Sequence, residues 1–178
     1  GWGQILPQYT IDNVYVANHA QNGRSSRSFI EEGLWSAARK KLQPDDWLII
    51  QFGHNDCKND ERYTDPFTAY SANLERYVKE AVEAGVFPVI CTSIVRGNNL
   101  ESHGDYTRSA KNVALRRNIP LIDLEALTKD YIAVLQNQKE FYIERDDTHL
   151  NETGATVVCR MAVNEIHRQN LPLTKYLK

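Results

Sequence analysis

Three short polar clusters hold the side chains most suited to chemistry. The first is Asn18-His19-Ala20-Gln21-Asn22-Gly23-Arg24-Ser25-Ser26-Arg27-Ser28, lying between a β-prone run and a helical pattern. Gly23 allows a tight turn that aims a backbone N–H at a bound oxygen, and amides at a helix start add a field favouring negative charge. The second, Phe52-Gly53-His54-Asn55-Asp56, closes the most apolar run of the chain. An Asn amide there can donate an N–H to a developing oxyanion from a rigid base. The third is Asp146-Asp147-Thr148-His149. Three positions apart in a tight turn, Asp146 can accept the Nδ1–H of His149, setting the tautomer and stabilising the imidazolium formed when Nε2 takes a proton.

Each cluster also has a plain structural reading: a connecting loop with a helix cap, a turn bonding its own backbone, and an acidic turn ahead of a helix. Together they amount to a general base with its orienting acid and two oxyanion donors. That is the equipment of acyl transfer, lacking a nucleophile. Ser25, Ser26, Ser28 and Cys57 are near enough in sequence to be weighed for that role, but Ser28 is better explained as a helix cap. A different arrangement would use His54, Asp56, Asp146 and His149 as ligands of a metal-dependent hydrolase, although their spacing matches no compact metal motif.

The elements that must carry these clusters alternate. Val14-Tyr15-Val16-Ala17, Trp47-Leu48-Ile49-Ile50-Gln51-Phe52, Pro88-Val89-Ile90-Cys91 and Ile119-Pro120-Leu121-Ile122 read as strands, the second apolar enough to be covered on both faces. Between them, Ser28 with Glu31 predicts a capping box for a helix through Ile30, Leu34, Ala37, Ala38 and Leu42. Asp65-Pro66 opens a helix lined by Phe67, Tyr70, Leu74, Tyr77, Val78 and Ala81 and ended by Gly85. Tyr106, Ala110, Val113 and Ala114 predict a helix ending before Asn118. Leu124, Leu127, Tyr131 and Leu135 predict another, and a last one opens near Asn151 and runs through Val158, Met161, Ala162 and Ile166. Alternation of this kind predicts an α/β fold with a parallel sheet, helices on both faces and chemistry beyond the carboxyl ends of the strands.

Composition sets the outer limits. At roughly 150 residues per domain, 178 residues make a single domain. Hydrophobic residues at 42% and charged residues at 25% exclude a disordered tail, a fibre or a disulfide miniprotein. Lys and Arg number 21 against 23 Asp and Glu, so no basic field calls for nucleic acid or an anionic membrane. The longest nearly apolar stretch, residues 86–95, is too short for a bilayer, which takes about 20 residues. Three cysteines leave one unpaired and match no zinc pattern, so the compartment stays open, with a secreted or periplasmic one slightly favoured. Oligomeric state is not legible.

The motifs Gly-Arg-Ser-Ser-Arg-Ser, Phe-Gly-His-Asn-Asp and Asp-Asp-Thr-His, in this order, resemble those of the SGNH (GDSL-type) hydrolases. With Gly1-Trp2-Gly3 they are more narrowly similar to the rhamnogalacturonan acetylesterase branch, and the similarity runs from Gly1 to the last helix. The resemblance implies a flavodoxin-like three-layer α/β/α fold and a serine esterase that deacetylates a pectin-type polysaccharide without metal or organic cofactor. By match, Gly23 and Asn55 are oxyanion donors, His149 is the base and Asp146 its partner. Arg24, Arg27 and Arg96 carry the charge to meet uronate carboxylates, and His54 is a further candidate substrate contact. The chain departs from the family in having no Gly-Asp-Ser block; Gly104-Asp105 is followed by Tyr106. The expectation is therefore one domain lacking its N-terminal strand, with the serine upstream of Gly1. The alternative is a carbohydrate-binding relic of the same fold. Loops at residues 96–105 and 136–145 look short for the branch.

Overall fold

The computed structural model describes residues 1–135, 137 and 140–178. The chain divides into two compact units. One comprises Gly1–Asn18, Ile94–Ser102 and Leu124–Lys178, and the other His19–Ser93 and His103–Asp123.

The second unit holds the sheet. Strands β1 (Trp47–Gln51), β2 (Phe87–Cys91) and β3 (Leu121–Ile122) lie in that order and are all parallel, with Ile50 opposite Ile90 and Cys91 opposite Ile122. β-Branched and aromatic residues suit these runs, and parallel pairing obliges a crossover between each pair. Helix α1 (Ser26–Glu31) and helix α2 (Leu34–Arg39) precede the sheet, α3 (Ser71–Glu83) joins β1 to β2, and α4 (Gly104–Arg117) joins β2 to β3. Both α3 and α4 pack on β2 and on each other, burying Leu74, Tyr77, Val78, Ala110 and Val113 with Ile50 and Ile90.

The start of α3 follows its sequence signal. Asp65 accepts the amides of Phe67 and Thr68, Pro66 occupies the first turn, and Gly85 takes a left-handed φ of 75° just past the end. The first turn, Pro66–Tyr70, is a π turn closed by the Tyr70 amide on the Asp65 carbonyl. Its extra residue per turn moves Phe67 off the apolar stripe, so Phe67 is exposed beneath the Arg108 guanidinium, 5.0 Å from its ring centroid, while Tyr70 is buried.

Other expectations need correction. Val14-Tyr15-Val16-Ala17 makes no ladder among the described residues, and Tyr15 is 89% exposed, because β-prone composition alone does not hold a strand without partner hydrogen bonds. The helix expected through Leu42 breaks at Gly33, whose φ of 76° starts a separate α2. Its cap is not Ser28 with Glu31. Ser25 is the N-cap, exchanging hydrogen bonds with Ser28. In β1 only Ile50 is buried, since among the described residues this strand pairs on one side alone.

In the first unit, α5 (Leu124–Ala133) packs on α6 (Glu152–Arg168), and the turn Trp2–Gln4 packs on α6 as well. Leu135 lies beyond the end of α5, and Met161 of α6 is only half-buried. Residues 136, 138 and 139 of the loop at 136–145 lie outside the described residues. Asn151 caps α6 by accepting the Gly154 amide at 2.8 Å, and Ala155, Val158, Ala162 and Ile166 are buried. Among the described residues no helix is long and apolar enough to cross a membrane.

Gly154 is where α6 meets the Phe141 backbone: a Cβ there would sit inside the contact distance of the Phe141 carbonyl oxygen. Gly154→Ala should therefore cost at least about 2 kcal/mol in urea unfolding, despite the better helix propensity of Ala. A variant as stable as the parent would refute that packing.

Candidate active site

His149 stands on a short loop built by local bonds. The Ile143 amide donates to the His149 carbonyl at 2.9 Å, Tyr142 and Leu150 form an isolated antiparallel bridge, and the Asn151 side chain donates to the Tyr142 carbonyl at 3.1 Å. Within this loop Asp146 does what its spacing predicts. One oxygen accepts the backbone N–H of Thr148 at 2.6 Å and of His149 at 2.8 Å, and the other lies 2.6 Å from His149 Nδ1. The His149 backbone N–H, with the imidazole and the Thr148 amide, holds the Asp146 carboxyl down at a pKa of about 2. An ionised carboxylate only accepts, so Nδ1 carries a proton, and in the neutral imidazole the lone pair is left on Nε2. The His149 side chain is 58% exposed, open to a reacting group.

Gly23 and Asn55 belong to the other unit and come together there. Gly23 turns with a φ of 76°, a conformation that suits glycine. Asn55 donates from Nδ2 to the Arg24 carbonyl at 3.1 Å, and its Oδ1 accepts from Arg62 Nη1 at 3.2 Å. Beneath them lies Asp56, fully buried. Its carboxylate accepts the Ser26 amide at 3.0 Å, the Ser26 hydroxyl at 2.5 Å, the Gly53 amide at 3.1 Å and the Thr64 hydroxyl at 2.7 Å. Burial pushes its pKa up, against the pull of those same four donors. This anchorage ties the start of α1 to the end of β1, which brings Arg24 within reach of Asn55.

It also settles the nearby serines. Ser25 and Ser26 are buried, Ser25 as a cap and Ser26 on Asp56, while the Ser28 hydroxyl completes the Ser25 cap. Each hydroxyl has a structural role.

The suggested substrate contacts divide between the units. Arg24 and Arg27 line an open cleft of about 520 Å³ beside Gly23, together with Arg62, Glu31 and Glu32. Arg24 pairs with Glu32 at 2.8 Å, and Arg27 stands 3.7 Å from Glu31. His54 Nδ1 lies 3.1 Å from Nε2 of the buried His103, the two rings edge to face. In the other unit Arg96 donates to the Thr148 hydroxyl at 3.2 Å, beside the His149 loop. Among the described residues no group of three or more His, Cys, Asp or Glu side chains is placed to share a metal ion. The Asp56 carboxylate, counted earlier as a possible ligand, already holds Ser26, Gly53 and Thr64.

The model of the GDSL-like Lipase/Acylhydrolase family matches residues 1–157. The chain belongs to this family. It is accordingly a carboxylic ester hydrolase. Probable rhamnogalacturonan acetylesterase YesY of Bacillus subtilis (strain 168) is 35% identical to this acylhydrolase over 98% of the chain and 87% of the relative. Rhamnogalacturonan acetylesterase RhgT of the same organism is 33% identical, over 99% and 84%. The crystal structure of YxiM from Bacillus subtilis superposes with a TM-score of 0.88 at 24% identity, covering 97% of this chain. The chain spans about half of that longer protein (51%). The three-layer α/β/α fold with a parallel sheet, expected from the resemblance, is the fold of this acylhydrolase.

Arg62, His103 and the Asp56 anchorage carry no signal in the sequence. Arg62 follows Asn55 by seven residues of irregular loop, where no periodicity relates side chains.

Removing the Asp56 carboxylate would strand two buried amides and two hydroxyls. Asp56→Ala should lose about 3 kcal/mol or more in chemical denaturation; a loss below 1 kcal/mol would refute its structural role. For Asp146 the folded pKa lies below the ordinary value of 3.8. Its contribution to stability is thus fully present above that value and disappears as pH falls through about 2. Carbon-detected NMR should show the Asp146 carboxyl titrating near 2; a midpoint near 4 would contradict the pairing.

Proposed function

We propose that this acylhydrolase removes O-acetyl groups from a pectin-type polysaccharide, and that residues 1–178 belong to one catalytic domain whose N-terminal strand lies outside them. The observation that carries the reading is the 2.6 Å contact of Asp146 with His149 Nδ1, which prepares Nε2 as a base. Its similarity to RhgT, a rhamnogalacturonan acetylesterase, and to YesY, a probable one, supports the acetyl and rhamnogalacturonan parts of it.

In the proposed reaction His149 Nε2 takes the proton of a serine hydroxyl as its oxygen bonds to the acetyl carbonyl carbon. The carbonyl oxygen, now an oxyanion, accepts N–H bonds from the Gly23 backbone and the Asn55 amide. The imidazolium, steadied by Asp146, gives its proton to the departing sugar oxygen. Water then repeats the sequence on the acetyl-serine, releasing acetate. Arg24, His54 and Arg96 contact the carbohydrate. None of these steps uses a metal or an organic cofactor.

The serine is the component that residues 1–178 do not supply at a matching position. Two observations support placing it on a strand outside these residues: Ser25, Ser26 and Ser28 are committed elsewhere, and among the described residues β1 pairs on one side alone, leaving an edge able to take a further strand.

A fluorophosphonate probe should label one serine of the full-length protein, located outside residues 1–178 by peptide mapping. Labelling at Ser25, Ser26 or Ser28 would overturn the assignment. In the same protein His149→Ala should lower kcat on acetylated pectin by at least about 10³-fold with the fold intact. Near-normal turnover would remove His149 as the base.

A further inference from the structure

We propose that Arg62 is a positioning residue for the oxyanion hole, one that sets the polarity of the Asn55 amide. This rests on the reading of Asn55 as an oxyanion donor and identifies what makes it one. A side-chain amide is nearly symmetric in shape, and rotating it by half a turn exchanges its oxygen for its NH2. Only one of these orientations can donate to an oxyanion. The other would aim a carbonyl oxygen at a negative charge.

The surroundings of Asn55 decide between them. A guanidinium has donors and no acceptor, and Arg62 Nη1 lies 3.2 Å from Oδ1. A backbone carbonyl only accepts, and that of Arg24 lies 3.1 Å from Nδ2. Turned over, the amide would set NH2 against the guanidinium and oxygen against the carbonyl, losing both bonds at once. Nδ2 has two N–H groups; the Arg24 carbonyl takes one, and the second is the one assigned to the oxyanion.

Arg62 is itself held in place. Its Nε donates to Asp60 Oδ1 at 2.9 Å, Nη2 pairs with Asp60 Oδ2, and its backbone N–H also meets Asp60 Oδ1 at 2.9 Å. The Arg62 hydrogen bonds in turn keep the Asp60 carboxyl at a pKa of about 2. The two-point grip leaves Nη1 directed to Asn55, which a flexible ammonium would not do as reliably. Withdrawal of charge through Oδ1 also makes the amide N–H a stronger donor. Arg62 stands beside the other proposed donor too, since its Nη1 is 4.0 Å from where a Cβ on Gly23 would lie.

The test is a double-mutant cycle in the full-length enzyme with 4-nitrophenyl acetate as substrate. Arg62→Met should lower kcat by about tenfold and leave KM within about twofold, because the interaction is made in the transition state. Arg62→Lys, which keeps a charged donor, should recover part of the loss. In the Asn55→Ala background, Arg62→Met should have no further effect. A full additional loss there, or a change confined to KM, would overturn the proposal. Should Arg62→Met fail to fold, the same cycle with Arg62→Gln decides: a loss of kcat that vanishes in the Asn55→Ala background supports it, and an equal loss in both backgrounds refutes it. Failure of the underlying reading shows separately, as an Asn55→Ala enzyme with full kcat.

Discussion

Among the described residues no lysine or arginine pairs with the buried Asp56 carboxylate, so it has to be met by dipoles, and four donors from three stretches of chain meet it. The Ser26 amide and hydroxyl come from the first turn of α1, the Gly53 amide from the end of β1, and the Thr64 hydroxyl from the loop ahead of α3. Its backbone carbonyl also takes the Tyr106 hydroxyl of α4 at 3.0 Å. Because desolvation would otherwise neutralise or expel the charge, these stretches are obliged to stay together. The approach of the Arg24 carbonyl to Asn55 follows from that obligation.

Above this anchor the polar groups form a directed series. Asp60 orients Arg62, Arg62 orients the Asn55 oxygen, and the Asn55 nitrogen meets the Arg24 carbonyl. Every member has one chemically allowed role, as anion, cation, amide or carbonyl, so the series has one sense. The pair of His54 and His103 beside it differs: a hydrogen bond between two imidazoles needs a proton on one facing nitrogen and a lone pair on the other. Its sense depends on tautomer.

The His149 loop achieves order by local means. Its Asp–His contact spans three residues and is braced by two amides on the same carboxylate, so little of it relies on distant parts of the chain. This suits the general-base role proposed for His149. The imidazole is held in one orientation at Nδ1 without being buried, and its side chain stays exposed.

Much of this was legible in the residues alone. Asp146 with His149, the Asp65-Pro66 helix start and the Asn118 and Gly85 stops are short-range patterns, in which sequence spacing and spatial distance nearly coincide, and the alternation of strand and helix runs already implied a parallel sheet. Tertiary context decided the rest. Val14-Tyr15-Val16-Ala17 has the composition of a strand but forms no ladder among the described residues, and a strand requires one. The cap of α1 moved to Ser25 because Asp56, 30 residues away from Ser26, holds the first turn in place. Arg62 became part of the Asn55 environment through a loop whose path no period describes. Local hydrogen bonding is written in the spacing of residues. The polarity of an amide is written in whatever the fold brings to its two ends.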